Sequence, residues 1–253
     1  MRIDRAEQKR EARLAMRTHR PSVYLVTFVL LALLFVLELL SVKLLYPGES
    51  LTEIARDYLD SAQEEIPLPT TEREAQEYID EYLARTRPQS VFGRILDIAI
   101  NIVTLMLIAG FTLFCLNVSR GAEGSFGNLL DPFGIFFKVL WLNIVMVVLI
   151  FLWSLLFVIP GIVASYRYSF ALYLLLDDPE KGVLQCIRES KALTQGYKGQ
   201  LFVLDLSFLG WFLLCAIPFV GIYVEPYYNI TRANFYRRIS GSAEAPAAEG
   251  PAA

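Results

Sequence analysis

Three long stretches of the chain are apolar with few interruptions: Val23–Tyr46, broken only by Glu38 and Lys43; Ile95–Val118, with Asp97 near its start; and Val139–Ile159, which carries no charge. A hydrocarbon core of about 30 Å takes roughly 20 helical residues at about 1.5 Å each, so each stretch predicts a membrane-spanning helix. Two shorter ones, Gly161–Leu176 with Arg167 and Leu201–Ile217 with Asp205, predict spans inside a bundle, where the charge faces protein rather than lipid. Glu225, Pro226, Asn229, Arg232 and Asn234 interrupt Val220–Ile239, which reads either as a sixth, polar span or as an interfacial helix. The predicted fold is all-α: a multi-pass transmembrane helical bundle of about six hydrophobic segments, the first over residues 22–46 and the rest over 95–239.

Polar patterns predict the parts outside the bilayer. Residues 47–91 hold two capping boxes, Ser50–Glu53 and Thr71–Glu74, in which a hydroxyl and a carboxylate satisfy free backbone N–H groups. Leu51, Ile54, Ala55, Tyr58, Leu59 and Ala62 follow the first, and Ala75, Tyr78, Ile79, Tyr82 and Leu83 the second, both at helical spacing. With Pro67 and Pro69 between them, they predict an acidic, extracytoplasmic helical hairpin. Its acidic face either draws cations or a basic partner, or simply stays solvated; the second is the plainer reading. Asp4 heads a basic helix within residues 1–20, whose cations can approach anionic headgroups. An interfacial helix is predicted near 180–197, with Val183, Cys186, Ile187, Ser190, Leu193 and Tyr197 on one face. Residues 240–253, rich in Ala, Glu, Pro, Gly and Ser without periodicity, predict a disordered tail.

Charge sets the orientation. Residues 1–20 carry seven Lys/Arg against three Asp/Glu, and residues 46–91 carry four against eleven. The basic start predicts a cytoplasmic N-terminus, and a retained anchor rather than a signal peptide, because the first apolar run is too long and no small-residue cleavage site follows it. Arg232, Arg237 and Arg238 return to the same side only if the chain turns near Pro218–Gly221, which puts both termini in the cytoplasm. On that topology the sequons at Asn117 and Asn229 face inward and go unused. A repeat supports the turn: Ile159-Pro160-Gly161-Ile162 precedes Tyr166-Arg167-Tyr168, and Ile217-Pro218-Phe219-Val220-Gly221-Ile222 precedes Pro226-Tyr227-Tyr228. Each copy predicts a helix hairpin reversed on the outer side, the first at Pro160, the two related as a parallel repeat. Chance similarity between two short turns is the competing explanation.

At 55% hydrophobic and 19% charged residues, with mean hydropathy +0.45, the 253-residue chain departs from the roughly 45–50% and 25% of soluble domains in the direction of a membrane protein. One histidine, His19, and three scattered cysteines, Cys115, Cys186 and Cys215, give no support to a Cys/His metal site, a redox pair or a disulfide scaffold. No cofactor is expected, and no nucleic-acid partner.

Several positions resemble a bacterial integral-membrane family known as domain of unknown function 975. They are Glu7 to Arg13, Ser119-Arg120-Gly121, Ile159-Pro160-Gly161-Ile162, Tyr166-Arg167-Tyr168-Ser169, Asp178-Pro179, Ser190-Lys191, Gly196-Tyr197-Lys198, Ser207-Phe208-Leu209-Gly210-Trp211, and Pro226-Tyr227 through Thr231, Ala233, Phe235 and Tyr236. The resemblance covers about residues 5–240, leaves the external loop and tail without a pattern, and implies a multi-pass plasma-membrane protein of no established activity.

Ionisable groups within spans are the candidate chemistry, since each costs about 2.5–3.5 kcal/mol to insert. The candidate binding residues are Arg167, Asp205 and Glu225, with Tyr168 and Tyr228 as phenol donors. They read either as a site for a lipid phosphate or anionic solute, or as an internal ion pair, the latter favoured. Asp97, Asn101 and Asn143 predict hydrogen bonds between helices. Asp177, Asp178 and Glu180 suggest a helix cap before a divalent-metal site. With no recognisable nucleophile and base, the sequence favours a non-catalytic membrane accessory or scaffold protein that binds lipids or a membrane or extracytoplasmic partner. The alternative is a small transporter or lipid-handling protein; the oligomeric state is left open.

Overall fold

The computed structural model describes residues 3–19, 22–45, 91–122, 124–215, 217 and 219–244, and the single positions 52, 56 and 73. The predicted external hairpin lies almost wholly outside them; Thr52, Arg56 and Arg73 are helical. Among the described residues the fold is all-α. Numbered in order, the helices are α1 (Arg5–Thr18), α2 (Val23–Leu45), α3 (Val91–Ser119), α4 (Phe136–Leu156), α5 (Val158–Tyr168), α6 (Ala171–Asp177), α7 (Val183–Leu193), α8 (Lys198–Leu206), α9 (Leu209–Leu214) and α10 (Gly221–Glu244). Two short 3-10 turns, Phe126–Leu129 and Asp131–Ile135, lead into α4. Among the described residues four stretches are long and apolar enough to cross a membrane: Val23–Leu45, Val91–Ser119, Phe126–Leu156 and Val158–Asp177.

The chain divides into two compact units, residues 34–103 and the rest. In the smaller, the Ser41 hydroxyl donates to Asp97 Oδ1 between two helices, the kind of contact the sequence predicted for Asp97. Asn101, by contrast, turns back on its own helix and donates to the Asp97 carbonyl at 2.9 Å, and in the larger unit Asn143 does likewise to Val139.

In the larger unit, α4 and α5 form the first hairpin, and its reversal falls at Phe157 rather than at Pro160 as predicted. Phe157 is fully extended (φ -163°, ψ 153°), which breaks the helix in one residue. Pro160 sits in the first turn of α5, where its missing N–H costs nothing. Gly161 is required by contact: a Cβ there would lie 2.1 Å from Ser154 Oγ and 3.0 Å from Ser154 Cα across the hairpin. Its repeat partner Gly221 has no such constraint, the nearest atom being Leu31 Cδ1 at 3.7 Å, so the two copies share a turn signal and not a packing mode.

The remaining predicted segments are broken. The fourth splits at Ser169–Phe170 into α5 and α6, and the fifth at Ser207–Phe208 into α8 and α9. α8 and α9 have nine and six residues, short of a crossing. Phe219 takes a left-handed conformation (φ 69°) in the reversal into α10, which carries Pro226 in its interior. α10 runs on to Glu244, so the first part of the predicted disordered tail is helical; Ser240 Oγ bonds the Tyr236 carbonyl within that turn. Gly182, not the acidic cluster, occupies the N-cap of α7, which starts at Val183 and buries Cys186, Ile187 and Ser190 as the spacing required.

Asp4 caps α1 by accepting from the Ala6 N–H at 2.9 Å. α1 then packs antiparallel on α10, burying Gln8, Ala12 and Met16. Asn234 Nδ2 donates to the Gln8 carbonyl at 3.3 Å, and Arg238 pairs with Glu7 and Glu11 at 2.9 and 3.0 Å. Arg13 lies over the Tyr227 ring, 5.9 Å from its centroid. The basic clusters of the two termini are therefore neighbours. Replacing Gly161 with Ala is expected to destabilise the protein by about 1–3 kcal/mol through overpacking, whereas Gly221→Ala is expected to leave stability unimpaired; thermal unfolding of the two variants in detergent distinguishes them.

Candidate functional site

The polar groups of the larger unit fall into two separate constellations. In the first, α8 supplies Asp205 and α10 supplies Tyr228 and, one turn later, Arg232. The Tyr228 hydroxyl donates to Asp205 Oδ1 at 3.2 Å and accepts from Arg232 Nη1 at 2.9 Å. Spacing of i, i+4 stacks the phenol and guanidinium on one helix face, which makes the phenol a relay between cation and carboxylate. Arg232 also lies 5.5 Å and 5.9 Å from the centroids of the Tyr228 and Phe170 rings, and its Nε is buried without a hydrogen-bond partner. Phe208 and Phe212 pack edge-on against Tyr228, at 5.3 and 5.1 Å between centroids, and fix the phenol. Arg232 is thus the cation that meets Asp205 through the phenol; sequence reasoning assigned that part to Arg167 and read Arg232 as an interruption of the last segment and as part of the basic cluster that orients it. The Tyr228–Arg232 spacing was the signal that could have found it.

The structure does not gather the other candidates here. Glu225 faces Asn229 on its own helix, with Asn229 Nδ2 3.5 Å from Oε2 and 2.9 Å from the Glu225 carbonyl. Tyr168 is buried at the end of α5. Arg167 ends α5 at the second constellation: its carbonyl accepts from Ser190 Oγ at 3.0 Å and Thr194 Oγ1 at 3.3 Å of α7, and its guanidinium lies 5.5 Å from the Trp153 ring centroid. Among the described residues no carboxylate pairs with it. Asp177, one of the acidic trio, instead pairs with Arg120 at 2.6 Å and accepts from the Tyr236 hydroxyl at 3.0 Å, tying α6 to the end of α3 and to α10. Among the described residues no group of His, Cys, Asp and Glu could hold a metal ion.

The depth of the first constellation follows from its neighbours. Ile3 N–H donates to Gln200 Oε1 at 2.9 Å, Lys9 Nζ donates to the Ser207 carbonyl at 3.1 Å, and the Lys9 ammonium sits 4.1 Å above the Phe208 ring. Asp205 is therefore level with α1, whose Arg5, Arg10, Arg13 and Arg17 are exposed. Burial, together with Arg5 and Arg13, holds the Lys9 ammonium below its ordinary pKa. At the far end of the second hairpin, Tyr223 stacks on Tyr24 at 6.2 Å and Gly221 faces Leu31. Leu31 is the ninth residue of α2, about 12 Å from its start at 1.5 Å per residue. Two surface grooves among the described residues lie elsewhere, one lined by Met16, His19 and Tyr24 and the other by Phe137, Trp141 and Ile144.

Residues 155–243 match the model of the family described as "Protein of unknown function (DUF975)", the family to which the motifs pointed; the match runs from the end of α4 through nearly all of α10. No curated protein and no solved structure matches the chain. Removing the relay by Tyr228→Phe leaves Arg232 and Asp205 short of a partner and is expected to lower stability by about 1–3 kcal/mol. Glu225→Gln, which keeps the contact with Asn229, is expected to change it by no more than about 0.5 kcal/mol, both read by thermal unfolding.

Proposed function

We propose that the chain is a non-catalytic membrane accessory protein, in which the two termini build a polar cap on the cytoplasmic ends of a four-crossing bundle. The observation that carries this reading is the level of Asp205, Tyr228 and Arg232 beside α1. A helix with four exposed arginines belongs in the aqueous or headgroup layer, and a group level with it is too shallow for the midplane site that transport by alternating access uses. The same contacts support a second hairpin that enters, reverses near Phe219 about a third of the way down α2 and leaves on the side it came from. The polar groups satisfy one another, Asp205 through Tyr228 and Arg238 through Glu7 and Glu11, which is the pattern of a built surface rather than of a nucleophile with its base. The transporter or lipid-handling alternative keeps one observation in its favour, the guanidinium of Arg167 without a carboxylate.

Two measurements test the proposal. In a Cys215→Ser background, a membrane-impermeant maleimide added to intact cells is expected to label Glu64→Cys in the external loop and to spare Phe219→Cys; labelling of both at similar rates would restore six crossings. A photo-crosslinking residue at position 10 or 17, on the exposed face of α1, is expected to give a discrete and reproducible protein adduct in native membranes. Absence of any adduct at both positions contradicts the accessory role.

A further inference from the structure

The second constellation carries an unbalanced charge. Arg167 is pinned through its carbonyl to the last turns of α7, next to Lys191 in that turn and Lys198 at the start of α8. The Arg167 Nε is buried and has no hydrogen-bond partner. Neither lysine forms an ion pair among the described residues: Glu189, two residues before Lys191, is engaged by Lys181 and Gln185, and Asp205, seven residues after Lys198, by Tyr228. Burial, then the positive charges of Arg167 and Lys191, lowers the Lys198 pKa, as expected of cations that face one another without an acid between them. The Trp153 ring offsets only part of the cost of desolvating the guanidinium. Three cations so placed suit an anion with several acceptor oxygens. Around it the exposed surface is apolar: Trp153, Ile162, Val163, Phe202, Val203 and Leu206. A soluble anion gains nothing from that surface, and an acyl chain does.

We propose that Arg167, Lys191 and Lys198 hold the phosphate of an anionic phospholipid, its acyl chains lying along Trp153, Val163 and Phe202. The guanidinium nitrogens donate in parallel to two phosphate oxygens, and the two ammonium groups add point charge from α7 and α8. The site rests on the membrane-accessory reading for its setting alone and needs no protein partner.

The test uses the purified full chain in phosphatidylcholine nanodiscs titrated with phosphatidylglycerol, read by native mass spectrometry of retained lipid and by thermal unfolding. The chain is expected to retain phosphatidylglycerol at a concentration about tenfold below that needed for phosphatidylcholine, with a rise in unfolding temperature. Arg167→Ala and the double variant Lys191→Gln/Lys198→Gln are each expected to weaken that retention by about tenfold, the worth of one charge-assisted hydrogen bond. The double variant alters an exposed and a half-buried side chain, so it answers the question even if Arg167→Ala does not fold. Equal retention of the two lipids by the native chain, or undiminished preference in the double variant, overturns the proposal. So does protection by inorganic phosphate equal to that by phosphatidylglycerol, because the tails would then contribute nothing. Adducts at positions 10 and 17 report on partner binding separately, so either reading can fail alone.

Discussion

The packing of α1 on α10 is the constraint from which the rest follows. α10 carries Asn229, Arg232, Asn234, Arg237 and Arg238 within ten residues, too many polar groups to face lipid unaided. α1 carries exposed arginines along one side and Gln8, Ala12 and Met16 along the other. Laid antiparallel, each helix covers the surface that the other cannot leave bare. That contact brings the two basic ends of the chain to one side, so the number of crossings between them must be even, a condition that four crossings and six both meet.

α10 also shows how a helix of low overall hydrophobicity keeps its place. Its charged and amide groups engage partners at helical spacing or on a neighbour: Asn229 turns to Glu225, Arg232 to Tyr228 and through it to Asp205, Asn234 to α1, Arg238 to two glutamates. Between them Tyr227, Ile230, Phe235 and Tyr236 are buried, Phe235 and Tyr236 against Phe170 of the α5–α6 break. The Arg120–Asp177–Tyr236 group closes the same layer from the end of α3. Arg167 stands outside this accounting: its guanidinium meets the Trp153 ring and, among the described residues, no carboxylate.

Much of this was legible in the chain. Long apolar runs determine helices by length alone, so Val23–Leu45 and Val91–Ser119 fall where the runs fall, and Asp4 announces α1 because a carboxylate before a helix has one obvious use. The shorter runs misled for a physical reason: apolar composition is continuous across Ser169–Phe170 and Ser207–Phe208, while the backbone breaks at both to let Phe170 and Phe208 turn inward, where they are fully buried. Pro160 and Gly161 mark the first reversal only approximately, since proline suits the first turn of the helix after a bend as well as the bend itself. Pairing was the least legible. Asp205 stood out as an acid within an apolar run, but which of two arginines it meets depends on the register of α8 against α10, which no local pattern encodes.

The antiparallel seating of α1 on α10 can be tested by oxidative crosslinking in native membranes of a chain otherwise freed of cysteine. The account predicts that Gln8→Cys with Asn234→Cys forms a disulfide readily and that Gln8→Cys with Tyr223→Cys does not. A crosslink from the second pair and none from the first would contradict it, and with it the polar cap and the shallow hairpin.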